Sequence, residues 1–587
     1  MDKLDSSNYT GSSLLAVDVG EINTRAALFD VVEGRYRFLA VGTARTTATA
    51  PFNHIGEGIS RAINDLEQIT DRDLIGDDDR LIIPSKLDGT GIDMFTATIS
   101  AGPPLRVIAV GLLEDISLAS AQRLTSTIYA EVVETLGLND RKTPEERLDT
   151  ILKLRPDLIV IAGGTDSGAS NSVNRLLESV GLACSLMSAD LRPEVLFAGN
   201  QALNSTVENR LSNLTKHYFA PNVRPSLEVE QISPAQHHMV DIFRSIRASQ
   251  IPGVSDLDEW TGMRLMPTSS AFGRMIQFLS KVYDPSKGVL GIDVGASATT
   301  IAAAFDGELN LGVYPQYGLG RGITGLVEDP SMNEFLRWIP MEVDPDYIRD
   351  YLYNKEIYPA SLPVSPEDLA IEQSLARQAI RKAISTAESG FSKKIYRSAR
   401  GMLPWFEPIV ATGSVLTRAP SVGHSLLTLL DATQPTSITT FVLDQHNLAA
   451  PIGAAAAINP YLSVQVLESS AFLNLATVIT PMASVRAGTP ILRLKVVYES
   501  GDETSLEIKQ GTLEALPIPM GEAAKIRLQP LHRSDVGMGG SGRGGSVRVV
   551  GGILGVIIDA RGRPTPLPKD LGRRRDLYKK WLWTLGG

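Results

Sequence analysis

Short apolar runs rich in Val, Ile, Leu and Ala recur along the chain, and most are followed by a segment whose apolar residues return at helical spacing. Leu14–Asp18 reads as a buried strand, followed by a tight turn and a second strand near Ala26–Val32. "FNHIGEGISRAINDLEQIT" reads as a helix, and Ser117–Leu136 as an amphipathic helix with a serine cap. "PDLIVIAGG" and "EVLFAGN" read as strands ending in turns, and "SNSVNRLLESVGL" and "PTSSAFGRMIQFLSKVY" as helices. "GVLGIDVGASATTIAAAFDGEL" then repeats the opening pattern of the chain. Such alternation predicts an α/β architecture. After "PIGAAAAINP" the texture changes, and residues 463–559 read as short strands between Gly and Pro turns, with a barrel as the expected form. A hairpin is signalled around Ser500-Gly501-Asp502. The glycine-rich Gly537–Ser546 reads as a linker or hairpin tip, because a strand rather than a helix follows it.

Composition narrows the function classes. A chain of 587 residues is long enough for several domains of roughly 100–200 residues each. Hydrophobic content of 43% and charged content of 21% are those of a globular protein. A net charge of -10 argues against a general nucleic-acid partner, which needs a basic face. The single Cys184 precludes an intrachain disulfide and reads as a small buried residue. The polar beginning of the sequence and the shortness of its apolar runs predict a cytoplasmic protein. His217, His237 and His238 lie close in sequence but lack the spacing of a zinc site.

Two segments share one design: an apolar strand, Asp-x-Gly, a polar turn and another strand. The first is "LLAVDVGEINTRAALFD", with Asp18, Gly20, Asn23 and Thr24. The second is "VLGIDVGASATTIAAAFD", with Asp293, Gly295, Ser297, Thr299 and Thr300. Glycine lets the backbone approach a phosphate without a Cβ clash, and successive N–H groups in such a turn bind anions. Hydroxyls add hydrogen bonds. The aspartates, which would repel a phosphate, suit a hydrated Mg²⁺. Two facing loops would clamp a polyphosphate from both sides. No GxxxxGK[ST] segment occurs, which disfavours a Walker-type NTPase.

These loops resemble those of the actin, sugar kinase and heat-shock chaperone superfamily. The resemblance implies a two-lobed actin-like (ribonuclease H-like) ATPase fold, one loop in each lobe, with ATP and Mg²⁺ between them. "PIVATGSVLTRAP" resembles the adenosine turn of that superfamily at Gly413 and Ser414, and "PIGAAAAINP" its closing helix at Gly453 and Ala454. On this reading residues 1–12 are a flexible leader, 13–285 lobe I with insertions, 286–462 lobe II, and 463–587 an additional C-terminal β-rich domain ending in a basic helix. "GLLEDISLASAQR", "LIVIAGGTDSG", "EVLFAGNQA" and "MPTSSAF" resemble a narrower group, the glutamate mutase accessory proteins often labelled MutL. Its "GGTDGGN" string corresponds to Gly163–Gly168, and its "YAGN" to Phe197–Asn200. That resemblance implies a chaperone or reactivating factor for a cobalamin-dependent mutase.

The second loop departs from the family's "DVGGATTD", with Thr300 where an aspartate is usual, so nucleotide binding is expected ahead of hydrolysis. Asp166 and Asn200 could face a ligand, but a turn or cap role is the first expectation. "GLGRGITGL" places Arg321 and Thr324 just after the second loop, as a helix entry. At the C-terminus, 573–587 has five basic residues against one acidic, with Leu577, Tyr578, Trp581, Leu582 and Leu585 on one face. Packing on the β-rich part is the first expectation for that face, and peripheral membrane contact the second. A structural actin-like scaffold, with homo-oligomers, is the alternative function, and a small-molecule kinase ranks last.

Overall fold

The computed structural model describes residues 13–587 apart from 167, 169, 328–330 and 400. The leader expected at 1–12, and Ser167 of the family string, lie outside the described residues.

The first lobe opens with β1 (Leu14–Val19), β2 (Asn23–Val32) and β3 (Arg35–Arg45), an antiparallel meander, and adds β4 (Met94–Ile99) parallel to β1. All six residues of β1 are buried, as expected for a central strand covered on both faces. A second, all-parallel sheet then interrupts the lobe. It comprises β5 (Leu105–Val110), β6 (Ala130–Leu136), β7 (Leu158–Ile161), β8 (Glu194–Phe197) and β9 (His217–Phe219), in the order β6-β5-β7-β8-β9. The chain returns through the short β10 (Met266–Pro267), parallel to β4, which completes the order β10-β4-β1-β2-β3.

The second lobe repeats the design. β11 (Gly288–Val294), β12 (Thr299–Phe305) and β13 (Glu308–Tyr314) form an antiparallel meander, and β14 (Phe406–Thr412) and β15 (Ser437–Leu443) follow in parallel. Their order, β13-β12-β11-β14-β15, is that of the first lobe. Three antiparallel strands followed by two parallel ones, present twice, constitute a two-lobed actin-like (ribonuclease H-like) α/β fold. The lobes share one apolar core. Leu14, Ala16 and Phe29 of the first lobe meet Val289 and Ala302 of the second through Phe272 and Ile276 of helix Thr268–Val282 and Ile452 of helix Ala449–Ala455.

Beyond 463 the chain adds β16 (Leu473–Thr480), β17 (Pro490–Tyr498), β18 (Glu503–Lys509), β19 (Leu513–Leu516), β20 (Ala523–Pro530), β21 (Gly545–Val550) and β22 (Val556–Asp559). The hairpin signal at Ser500-Gly501-Asp502 lies between β17 and β18, and the glycine-rich loop joins β20 to β21. The expected barrel does not form. β16, β22 and β19 extend the second lobe's sheet, and β18-β17-β20-β21 make a separate four-stranded antiparallel sheet. A fully buried ionic network ties this region to the second lobe: Arg377 and Arg561 share Asp431 at 2.9 and 2.7 Å, and Arg561 and Arg563 share Asp559 at 2.9 and 2.8 Å.

One further expectation is corrected. Ser117–Leu136 is not one helix: helical turns cover Glu114–Leu118 and Ala119–Thr125, and Ala130–Leu136 is β6. Its Val132, Val133 and Thr135 are β-branched and suit pairing with β5 better than a helix. The basic C-terminal helix, Leu571–Thr584, packs on β19 of the β-rich part, as first expected, and also on helix Val422–Thr433 of the second lobe. Trp581 and Leu585 are buried in that lobe's core, and Leu577, Tyr578 and Leu582 pack against it. This apolar face is thereby largely covered within the chain. Among the described residues no helix is long and apolar enough to cross a membrane.

Candidate nucleotide-binding site

A cleft of about 530 Å³ lies between the lobes, with both Asp-x-Gly loops on its walls. Each loop is a two-residue hairpin. Gly20 N donates to Asn23 O at 3.1 Å, and Gly295 N donates to Ala298 O at 2.9 Å. A Cβ on Gly20 would stand 2.8 Å from Asn23 O, which explains the glycine. The second hairpin is braced from behind, where Leu319 N donates to Gly295 O and Gly320 N to Ala296 O. Gly318 is needed for this approach, because its Cβ would lie 2.6 Å from Ala296 O.

Of the residues singled out from sequence, Asp18, Gly20, Asn23, Asp293, Gly295, Ser297, Thr300, Gly413 and Ser414 line the cleft. Thr24, Thr299 and Gly453 do not. The Thr24 hydroxyl bonds Thr46 Oγ1 at 3.0 Å, and Thr299 Oγ1 donates to Tyr317 O at 2.7 Å, so both fasten hairpins to the lobe behind. Gly453 serves helix packing: its Cβ would stand 1.9 Å from Ala271 O of the facing helix. Side chains alternate across a strand, which puts Thr300 in the cleft and Thr299 behind it.

The floor carries three carboxylates around one guanidinium. Asp18 accepts hydroxyl hydrogen bonds from Thr98 at 2.7 Å and Thr268 at 2.9 Å, and Arg25 stands 3.9 Å away. Withdrawal from solvent, then the charges of Asp18 and Asp444, push the Asp293 carboxyl up to about 7, with Arg25 opposing. Burial pushes Asp444 up to about 6, although it accepts from the Leu448 and Ala449 amides at 2.8 Å each and so caps the closing helix. Among the described residues no group of three or more His, Cys, Asp or Glu forms a ready metal cage. This donor set suits Mg²⁺, which takes one or two carboxylates and completes its shell with water and phosphate oxygens. Ser269 Oγ, buried on the cleft wall, has no hydrogen-bond partner among the described residues and is free for a ligand oxygen.

The cleft also takes in the turn after β14. β14 runs into Gly413, whose φ of 111° and closeness to Val294 O, 2.2 Å from a notional Cβ, exclude any side chain. Ser414, Val415, Arg418, Pro359, Leu362, Leu369 and Leu375 also line the cleft. Lys355 and Glu372 pair within this lining.

Sequence reasoning missed Arg25, Asp444, Asn447, Thr268 and the wall from Lys355 to Leu375. Arg25 stood inside the first loop's own string, and Asp444 ends an apolar run five residues before a helix, so both carried a legible signal. Tyr129, just before β6, also reaches the cleft. Its hydroxyl is buried, and burial followed by the nearby Glu21 raises it to about 12, with Arg321, Arg247 and Ser297 opposing. Glu21 pairs with Arg321 of the opposite lobe at 2.8 Å and accepts from Gly102 N at 3.0 Å. Asp166 and Asn200 lie outside the cleft lining: Asn222 donates to Asp166 at 2.8 Å, and Asn200 accepts from Ala202 N at 3.0 Å.

Fold and cleft together define an actin-like protein with duplicated phosphate-type hairpins. The chain belongs to the MutL protein family, whose model matches residues 14–471. No curated protein matches the chain. Among solved structures it is similar to nucleotide-free acetone carboxylase, at 11% identity over 86% of this chain and 81% of that one, with a TM-score of 0.32. It is also similar to an ATP-dependent caprolactamase from Pseudomonas jessenii, at 12% identity over 84% and 81%, with a TM-score of 0.29. Component A of the Acidaminococcus fermentans (R)-2-hydroxyglutaryl-CoA dehydratase shows 8% identity over 76% and 96%, with a TM-score of 0.24. These likenesses are distant, and the site is read from its own geometry.

Proposed function

We propose that the chain is an ATP-binding accessory protein whose lobes respond to Mg²⁺–ATP and thereby alter a surface that engages a protein client. The observation that carries this reading is the pair of glycine hairpins lining one cleft, each glycine two residues after an aspartate. Gly20 and Gly295 give the backbone close access to phosphates, Ser297 and Thr300 offer hydroxyls, and Arg25 offers positive charge. Asp18 and Asp293 would hold Mg²⁺ through its waters, and the slot beside Gly413 would take the adenine. Bound Mg²⁺ supplies charge neutralisation for the polyphosphate.

A cobalamin-dependent mutase is the client implied by the family resemblance. Thr300 stands where that family carries a carboxylate, so binding is favoured over turnover. The test is recovery of activity by an inactivated cobalamin-dependent mutase incubated with the intact chain, with and without Mg²⁺–ATP. Recovery that needs both supports the reading. Equal recovery with Asp18→Ala would sink the role of the cleft, and no recovery would remove the mutase as client.

A further inference from the structure

The C-terminal helix Leu571–Thr584 has an inner face taken up by the second lobe and an outer face with an unusual composition. Arg575, Lys579 and Trp583 recur at intervals of four along that outer face, with Arg573 and Lys580 beside them, and all five are exposed. Trp583 is 82% exposed. No ion pair or hydrogen bond engages the four basic side chains among the described residues. A tryptophan left in solvent inside a basic stripe is the composition of an interface anchor rather than of a solvated face.

The chain also carries the complement. Helix Pro345–Ile357 turns Asp346, Asp350, Tyr353 and Ile357 outward on one face. Tyr353 is 53% exposed and Ile357 67%, and the adjoining Tyr358 is also 67% exposed. Asp350 has no ion pair among the described residues, and Asp346 has only the exposed Arg349 at 2.7 Å, a pair of little worth. The two helices, of 13 and 14 residues, are each about 20 Å long at about 1.5 Å per residue.

Charge order fixes their relative direction. The acidic half of Pro345–Ile357 is N-terminal and its apolar half C-terminal. On the C-terminal helix the basic half is N-terminal, and Trp583 is near the C-terminal end. Laid parallel, Asp346 and Asp350 oppose Arg575 and Lys579, and Trp583 meets Tyr353 and Ile357. Laid antiparallel, Trp583 would meet carboxylates. The two helices cannot meet this way within one molecule. Tyr578 fixes the inner face of one to Gln373, while Tyr347 and Tyr351 fix the other to Asp368 and Glu372.

We propose that the outer face of Leu571–Thr584, through Arg575, Lys579 and Trp583, docks on the outer face of Pro345–Ile357 in a second copy of this chain. One helix pair is a small contact, so association is weak and concentration-dependent. Reciprocal docking closes a dimer, and head-to-tail docking builds longer assemblies.

Sedimentation velocity of the full chain over a concentration series tests this. The sedimentation coefficient should rise with concentration, and Trp583→Ala or Lys579→Glu should weaken association by roughly tenfold or more. Joining Lys579→Glu to Asp350→Lys should restore it, which a merely misfolded variant would not allow. Unchanged circular dichroism of each variant confirms that it folds. A single unchanging species for the intact chain overturns the proposal, and so does failure of the charge exchange to restore association. If instead the chain stays monomeric and binds anionic phosphatidylserine vesicles through Trp583, the face belongs to a membrane and the proposal fails.

Discussion

Glu21 of the first phosphate hairpin and Arg321, which follows the second, are joined by a 2.8 Å ion pair across the two lobes. Arg321 is carried by the segment that braces the second hairpin, its own amide donating to Ala296 O at 3.0 Å. Glu21 is in turn held by Gly102 N, at the entry to the interrupting parallel sheet. Burial raises the Glu21 carboxyl, with Arg321, Gly102 N and Arg247 opposing. One side chain therefore touches both lobes and the interrupting sheet, at the point where a polyphosphate would bind. A shift of either hairpin must disturb this contact, which gives closure a route to the outer surface.

Glu21→Ala and Arg321→Ala should each speed amide hydrogen exchange in residues 318–323, and the double variant should be no faster than either single one. Such coupled pairs show interaction energies of about 0.5–3 kcal/mol in a double-mutant cycle. Additive effects would mean that the pair transmits nothing.

If Asp293 holds Mg²⁺ as proposed, nucleotide binding is pH-dependent. Its carboxyl is raised from 3.8 to about 7, and a cation needs the charged form. Affinity should therefore climb as pH rises through about 7 and level off above it. Titration at several pH values checks this, and a flat profile for the intact chain would remove Asp293 from the metal site.

The same shift works against stability. Between about pH 4 and 7 the folded chain keeps a proton that the unfolded chain has released, so stability falls as pH rises through that window. Asp293→Asn should raise the unfolding midpoint of the ligand-free protein at pH 8 while weakening Mg²⁺–nucleotide binding. A variant that is less stable there would contradict the assigned cause, withdrawal of a charged carboxylate from water.

Thr299 and Thr300 are neighbours on opposite faces of β12, Thr300 in the cleft and Thr299 behind it. Thr300→Val should weaken nucleotide binding by about 0.5–1.5 kcal/mol, the contribution of one hydrogen bond. Thr299→Val should leave affinity nearly unchanged and lower stability instead, by releasing Tyr317 O. Calorimetric affinities and unfolding midpoints of the two variants separate these effects.

Asp431 joins Arg377 and Arg561 in the dry interior. Asp431→Ala leaves buried guanidinium groups uncompensated, and the expected loss is about 3–5 kcal/mol, read by denaturant unfolding. A loss below about 1 kcal/mol would mean that water reaches the network.

The hairpins were legible because glycine, aspartate and flanking apolar strands lie within a few consecutive residues and occur twice. Gly413 was legible for the same local reason. What stayed hidden was assembled from distant segments. Arg25 gains its meaning only when Asp293 and Asp444 are brought beside it, and the stretch from Lys355 to Leu375 becomes cleft lining only when it is brought together with Gly413. The C-terminal strands were visible as strands, but their sheet partners were not. β16 pairs with β15 and β22 with β16, and such long-range pairing is not written in either strand's own pattern. The apolar face of the last helix and its packing on the β-rich part were visible too, whereas the second lobe's share in that core was not.

The most direct measurement is calorimetric titration of Mg²⁺–ATP into the intact chain, beside Asp18→Ala and Asp293→Ala. The clamp predicts saturable binding by the intact chain and a large loss in both variants, because each aspartate belongs to a different lobe's hairpin. Absence of binding by the intact chain, or retention of full affinity in either variant, would contradict a nucleotide held between two facing hairpins.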